Sequence, residues 1–245
     1  RGAADLQEER IAFLLPPGFD WVVTQWAIWR AGGVAVPLST SHPVAELAYV
    51  LKDAEIERLV TCPTFREQAR DLGETRDLEA LWTNQLPDST DPLPHVNSSR
   101  RAMILYTSGT TSRPKGVVTT HANIAAQVDS LIEAWKWTDN DRILHFLPLH
   151  HIHGIINVLC CALGCGATCE FLPRFDARRV WECLADSSAL SLFMAVPTIY
   201  MRLIDAFDRA KPQDQAGMRS ACQRLRLMVS GSAALPVSTL ERWRE

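Results

Sequence analysis

The 245-residue sequence predicts an α/β fold of mainly parallel sheets layered with helices. Short apolar runs of strand length alternate with longer stretches of helical period, the rhythm of strand, helix and parallel strand. The alternation stops at one polar, proline-rich stretch and then resumes. At 47% hydrophobic and 22% charged residues, a chain this long can bury a sizeable core. No internal repeat is visible.

In order, Arg10 to Leu15 reads as a strand, Phe19 to Arg30 as a helix carrying Trp21, Trp26 and Trp29, and Val34 to Leu38 as a strand. A helix over Pro43 to Asp53 and a strand over Arg58 to Thr61 follow. Thr83 to Ser99, TNQLPDSTDPLPHVNSS, has three Pro and almost no periodicity, so it reads as a linker or long loop. It separates two lobes or two halves of one sheet. The division expected is a first αβ lobe at 1–83, a linker at 84–99, and a second αβ lobe at 100–245.

Beyond it, Ala102 to Tyr106 is a strand, Ala122 to Trp135 a helix, Arg142 to Leu147 a strand and Gly154 to Leu163 a helix. Thr168 to Leu172 is a strand, and Asp176 suits the N-cap of a helix through Leu184. Leu190 to Val196 is a strand, and Pro197 opens a helix reaching about Phe207. Leu225 to Val229 is a strand ending at SGSAAL, and Val237 to Glu245 reads as the start of a helix. With Arg1 rather than Met at the other end, both termini read as cut.

The net charge of −3 argues against a nucleic-acid partner, which would favour a basic face. No apolar run approaches the ~20 residues that cross a bilayer. Of the seven Cys, Cys160, Cys161, Cys165 and Cys169 crowd together without a CxxC pair, which fits small buried thiols better than zinc or disulfides. Lys occurs only at Lys52, Lys115, Lys136 and Lys211, so a functional Lys stands out.

The densest chemical signal is Tyr106 to Gly116, YTSGTTSRPKG, between a strand and a helix. Small hydroxyl residues and Gly109 leave backbone N–H groups open to an anion, and Lys115 adds a point charge. It is a phosphate cradle in composition. It is not a Walker A loop, because that template meets Pro114 and Gly116 where it needs Gly and Ser or Thr.

Four His fall at His145, His150, His151 and His153. In an extended segment His151 and His153 point to opposite faces, and no neighbouring Asp, Glu or Cys completes a metal site. Val229 to Leu235, VSGSAAL, suits an ordinary strand-to-helix turn as well as a site. From spacing alone, Arg202 reads as a helix-surface charge.

YTSGTTSRPKG resembles the phosphate-binding signature of the adenylate-forming enzymes, the group of acyl-CoA synthetases, luciferases and peptide-synthetase adenylation domains, written [Y/F]TSG[S/T]TGxPKG. The departure is Ser112 in place of Gly, which costs about 1 kcal/mol if the position needs φ > 0. PLHHIHG, AVPTIYMRL, VSGSAAL and WAIWRAGGVAVPLSTSHP together resemble the malonyl-CoA synthetase branch, most closely its vertebrate mitochondrial form, which acts on malonate and methylmalonate.

The resemblance implies the N-terminal portion of the adenylate-forming fold, without its C-terminal lid. The reaction it implies joins a carboxylic acid to CoA through an acyl-AMP intermediate. Thr107, Ser108, Gly109, Thr110, Thr111 and Lys115 would hold the β- and γ-phosphates of ATP, with Lys115 and Thr107 as the catalytic pair. Gly231, Ser232 and Ala233 would lie against adenine and the acyl-adenylate. His151 would line the acyl pocket, and Arg202 would hold the distal carboxylate of the diacid. ATP, CoA as co-substrate and Mg²⁺ are the small molecules implied. The Mg²⁺ ligand in a Tyr-Gly-x-Thr-Glu motif, the ribose Asp and the catalytic lid Lys are expected beyond Glu245, so the chain alone is expected not to adenylate at the rate of a complete enzyme. The mitochondrial matrix is the implied compartment, and no oligomeric state is implied. The alternatives are a medium-chain or aromatic acyl-CoA synthetase, and a truncated non-catalytic product that binds nucleotide or a partner.

Overall fold

A computed structural model of the chain describes residues 5–74, 79–82, 92–107, 113–186 and 189–245. It divides into two compact units, residues 1–126 with 148–152, and residues 127–147 with 153–245.

The first unit holds β1 (Arg10–Leu14), α1 (Phe19–Arg30), β2 (Val34–Pro37), α2 (Val44–Asp53), β3 (Arg58–Thr61), α3 (Arg66–Glu74), β4 (Glu79–Trp82), β5 (Arg101–Thr107) and β6 (Lys115–Thr120). Its strands pair in the order β4-β3-β1-β2-β5-β6. All neighbours are parallel except β5 and β6, which form an antiparallel pair. Ala12, Phe13 and Leu14 of β1 are wholly buried, as a central strand covered on both faces requires. Of the three Trp in α1, Trp21 packs edge-on against Phe13 with centroids 5.1 Å apart. Trp29 donates its indole N–H to the Ala102 carbonyl at 2.7 Å, and Trp26 is exposed.

The second unit holds most of α4 (His121–Trp135), then β7 (Arg142–His145), a π-helical stretch (His153–Cys160) that runs into α5 (Cys161–Cys165), and β8 (Thr168–Phe171). It continues with α6 (Ala177–Asp186), β9 (Leu192–Ala195), α7 (Pro197–Asp208), α8 (Pro212–Arg224), β10 (Leu227–Ser230) and α9 (Val237–Arg244). Among the described residues its sheet is parallel, in the order β10-β9-β7-β8. Asp176 caps α6 as expected, accepting from the Arg179 N–H at 2.8 Å. Pro197 occupies the first turn of α7.

Residues 84–99, expected to separate two lobes or two halves of one sheet, lie in sequence between β4 and β5. β5, after that stretch, pairs with β2, before it, so the stretch separates two halves of one sheet and the expected lobe 100–245 is shared between two units. Of the elements named above, α3, α8, β4 and β6 escape the sequence reading. α3 and α8 are polar helices with short buried faces, Ala69 and Leu72 in one and Ala221 in the other. β4 is a short edge strand, and β6 stands where the phosphate segment was read as leading straight into a helix.

Candidate functional site

Thr107 and Lys115 are cross-strand partners at the loop end of the β5/β6 hairpin. Directly opposed residues of an antiparallel pair point their side chains to the same face, and both of these are exposed. Pairing thus sets the two side chains on one face of the hairpin. Ser108, Gly109, Thr110 and Thr111 lie outside the described residues, as does Ser112.

The pair is tied to α2 on both stems. Tyr106, just before Thr107, donates its hydroxyl to Asp53 Oδ2 at 2.7 Å. Tyr49 donates its hydroxyl to the carbonyl of Pro114, just before Lys115, at 2.9 Å. The Arg113 guanidinium lies over the Tyr49 ring, 5.8 Å from its centroid. Burial, reinforced by Asp53, pushes the Tyr106 phenol well above its usual range, so it remains a donor at neutral pH. Opposite Tyr106 stands Gly116, where a Cβ would come within 3.0 Å of Ile104 Cγ2 and 3.2 Å of Tyr106 Cζ. Only a bare backbone leaves room for that ring.

In the second unit, the C-terminal end of β10 leads into Gly231, Ser232 and Ala233. His153, first residue of the π-helical stretch, is buried, and its Nδ1 stands 3.2 Å from Ser232 Oγ. A Cβ on Gly231 would lie 2.9 Å from His153 Cε1. Ser232 holds φ of 67°, a left-handed backbone that costs a non-Gly residue about 1 kcal/mol or more. Beside it, His153 Nε2 and Ser230 Oγ are buried without a hydrogen-bond partner among the described residues. Buried polar atoms are rarely left so, and these two belong to residues that adjoin Gly231. Burial lowers the His153 pKa, favouring neutral imidazole. Tyr200 of α7 donates to the Val229 carbonyl at 2.9 Å, fixing the same strand end.

Of the other expected site residues, Ala233 is exposed beyond Ser232, and Arg202 is exposed on α7 while Ile199, Tyr200 and Leu203 are buried. His151 is exposed in the first unit, its ring 4.1 Å from that of His150, which in turn meets His42 at 5.3 Å. His153, passed over in favour of His151, is the histidine that meets the small-residue turn. A signal for it was present, since it directly precedes Gly154. His145 stacks on Phe171 at 5.1 Å, and burial takes its pKa down to about 4. The Cys are free thiols, and burial pushes Cys161 and Cys169 up to about 12. No group of three or more His, Cys, Asp or Glu among the described residues could hold a metal ion.

The family model described as AMP-binding enzyme matches residues 3–245. The chain belongs to the AMP-binding enzyme family. Within this family it is 46% identical, over 98% of its length, to the mitochondrial malonate–CoA ligase ACSF3 of Mus musculus, of which it spans 43%. It is 35% identical to a malonate–CoA ligase of Arabidopsis thaliana over 99% of its length, again spanning 43% of that protein. Among solved structures, ATP-bound MatB of Rhodopseudomonas palustris superposes with a TM-score of 0.81 at 28% identity, over 96% of this chain and 47% of MatB. The chain therefore spans less than half the length of these relatives. No helix among the described residues is long and apolar enough to cross a membrane.

Proposed function

We propose that these residues form the ATP- and acid-binding part of an ATP-dependent carboxylic acid:CoA ligase acting on malonate or methylmalonate. In that reaction the carboxylate oxygen attacks the α-phosphorus of ATP, giving acyl-AMP and pyrophosphate, and the thiol of CoA then displaces AMP to form the thioester. The observation that carries the reading is the opposed Thr107 and Lys115 on the hairpin of a chain 46% identical to a malonate–CoA ligase. Lys115, Thr107 and the hydroxyl-rich residues Ser108 to Thr111 are assigned to the β- and γ-phosphates, where fixed positive charge and backbone donors neutralise the leaving pyrophosphate.

Gly231, Ser232 and Ala233 are assigned to adenine and the acyl-adenylate, with His151 on the acyl pocket and His153 beside Ser232. Arg202 is assigned to the distal carboxylate of the diacid. No residue described here is assigned to Mg²⁺. The names of the ACSF3 relatives support a mitochondrial location.

Because the chain spans less than half of its relatives, the test reads binding rather than turnover. Arg202→Leu should weaken a malonyl-adenylate analogue about 10- to 100-fold, the range for a lost charge-assisted hydrogen bond, and leave an octanoyl-adenylate analogue unaffected. Equal malonyl-analogue affinity in both chains would contradict the diacid assignment. Tighter binding of the octanoyl analogue by the unsubstituted chain would point to a medium-chain ligase.

A further inference from the structure

We propose that α2 positions the phosphate hairpin and that Tyr49 is the positioning residue through which it acts; the proposal rests on the nucleotide reading above. Leu47, Val50 and Leu51 bury one face of α2 in the core of the first unit. Tyr49 and Asp53 stand four residues apart and so share another face, one above the other. Asp53 takes the stem that leads into the loop by accepting from Tyr106, and Tyr49 takes the stem that leaves it by donating to the Pro114 carbonyl. The two rings meet edge to face, with centroids 6.4 Å apart.

Each hold falls on the residue immediately before one member of the Thr107/Lys115 pair. These holds sit where the described ladder gives way to the loop, and a helix already anchored by buried leucines supplies the rigidity. Tyr49 has a second function in this arrangement. Its ring keeps the Arg113 cation two residues from Lys115, which adds positive potential where a triphosphate would lie. Preorganised charge of this kind is worth more than charge that ligand binding must first order.

The test is equilibrium titration of the 245-residue chain with ATP and with AMP, which lacks the β- and γ-phosphates. Tyr49→Phe removes one neutral hydrogen bond and keeps the ring, so ATP should bind about fivefold more weakly. Tyr49→Leu also removes the Arg113 contact and should weaken ATP further. Asp53→Ala, from the other stem, should act in the same direction. AMP affinity should not change in any of the three. Parallel weakening of ATP and AMP would reduce Tyr49 to a structural residue and overturn the proposal, and so would unchanged ATP affinity in Tyr49→Leu. If the unsubstituted chain binds neither nucleotide, the nucleotide reading fails and the clamp fails with it. Binding by the unsubstituted chain that the substitutions leave untouched defeats the clamp alone.

Discussion

Ser232 carries a left-handed backbone that glycine would adopt without strain, and its hydroxyl faces a buried histidine. The preceding Gly231 is needed for a different reason, since any Cβ there would press on the His153 ring. Gly231→Ala should therefore destabilise the chain by about 1–3 kcal/mol through overpacking, read as a lower urea midpoint. Ser232→Gly relieves up to about 1 kcal/mol of backbone strain but removes the hydroxyl from His153 Nδ1, so it should not raise the midpoint. An unchanged midpoint in Gly231→Ala would show that the ring has room to move. At this scale the sequence was informative about residue type: VSGSAAL marked a place of close approach. It could not show that the partner is His153, because His151 and His153 lie two apart and only the fold distinguishes them.

Among the elements, β7, β9 and β10 are bound together at their N-terminal ends, away from the Gly231 turn. Asp141, just before β7, takes a two-pronged contact from Arg226, just before β10, at 2.5 and 2.7 Å. Ser191, before β9, donates to the same carboxylate at 2.6 Å. Burial alone would raise the Asp141 pKa, but the Arg226 and Ser191 bonds outweigh it and bring the carboxyl down to about 2 from 3.8. Since the folded value lies below the unfolded one, the stabilisation is complete above about pH 4 and is lost as pH falls toward 2. Asp141→Asn should cost about 2–4 kcal/mol at pH 7 by leaving Arg226 without its anion, and should flatten the loss of stability between pH 4 and 2. An unaltered acid limb of the urea-midpoint profile would exclude this carboxylate as its source. This network was not legible in the sequence, since Asp141, Ser191 and Arg226 are joined only by strand order. The strands themselves were legible as short apolar runs, with β9 buried throughout. β6 was not, because its exposed Val117 and Val118 show neither alternation nor a buried run.

Across the whole chain, the layered α/β architecture and strands β1, β2, β3 and β5 follow from hydrophobic rhythm alone. The division into units does not, because pairing of β5 with β2 joins segments that the proline-rich stretch sets far apart in sequence. The segment assigned to the phosphates stands out by composition, and Tyr49 and Asp53, which hold its stems, do not, since nothing in an amphipathic helix announces what its second face grips. The proposed nucleotide site requires that the β5/β6 hairpin of this AMP-binding enzyme family member receive a triphosphate beside Lys115. Calorimetric titration of the chain with ATP, with and without Lys115→Ala, tests it most directly. The unsubstituted chain should bind ATP, and removing the ammonium should weaken binding at least about tenfold, in line with a charge-assisted contact. Equal ATP affinity in the two chains, or no ATP binding by the unsubstituted one, would contradict it.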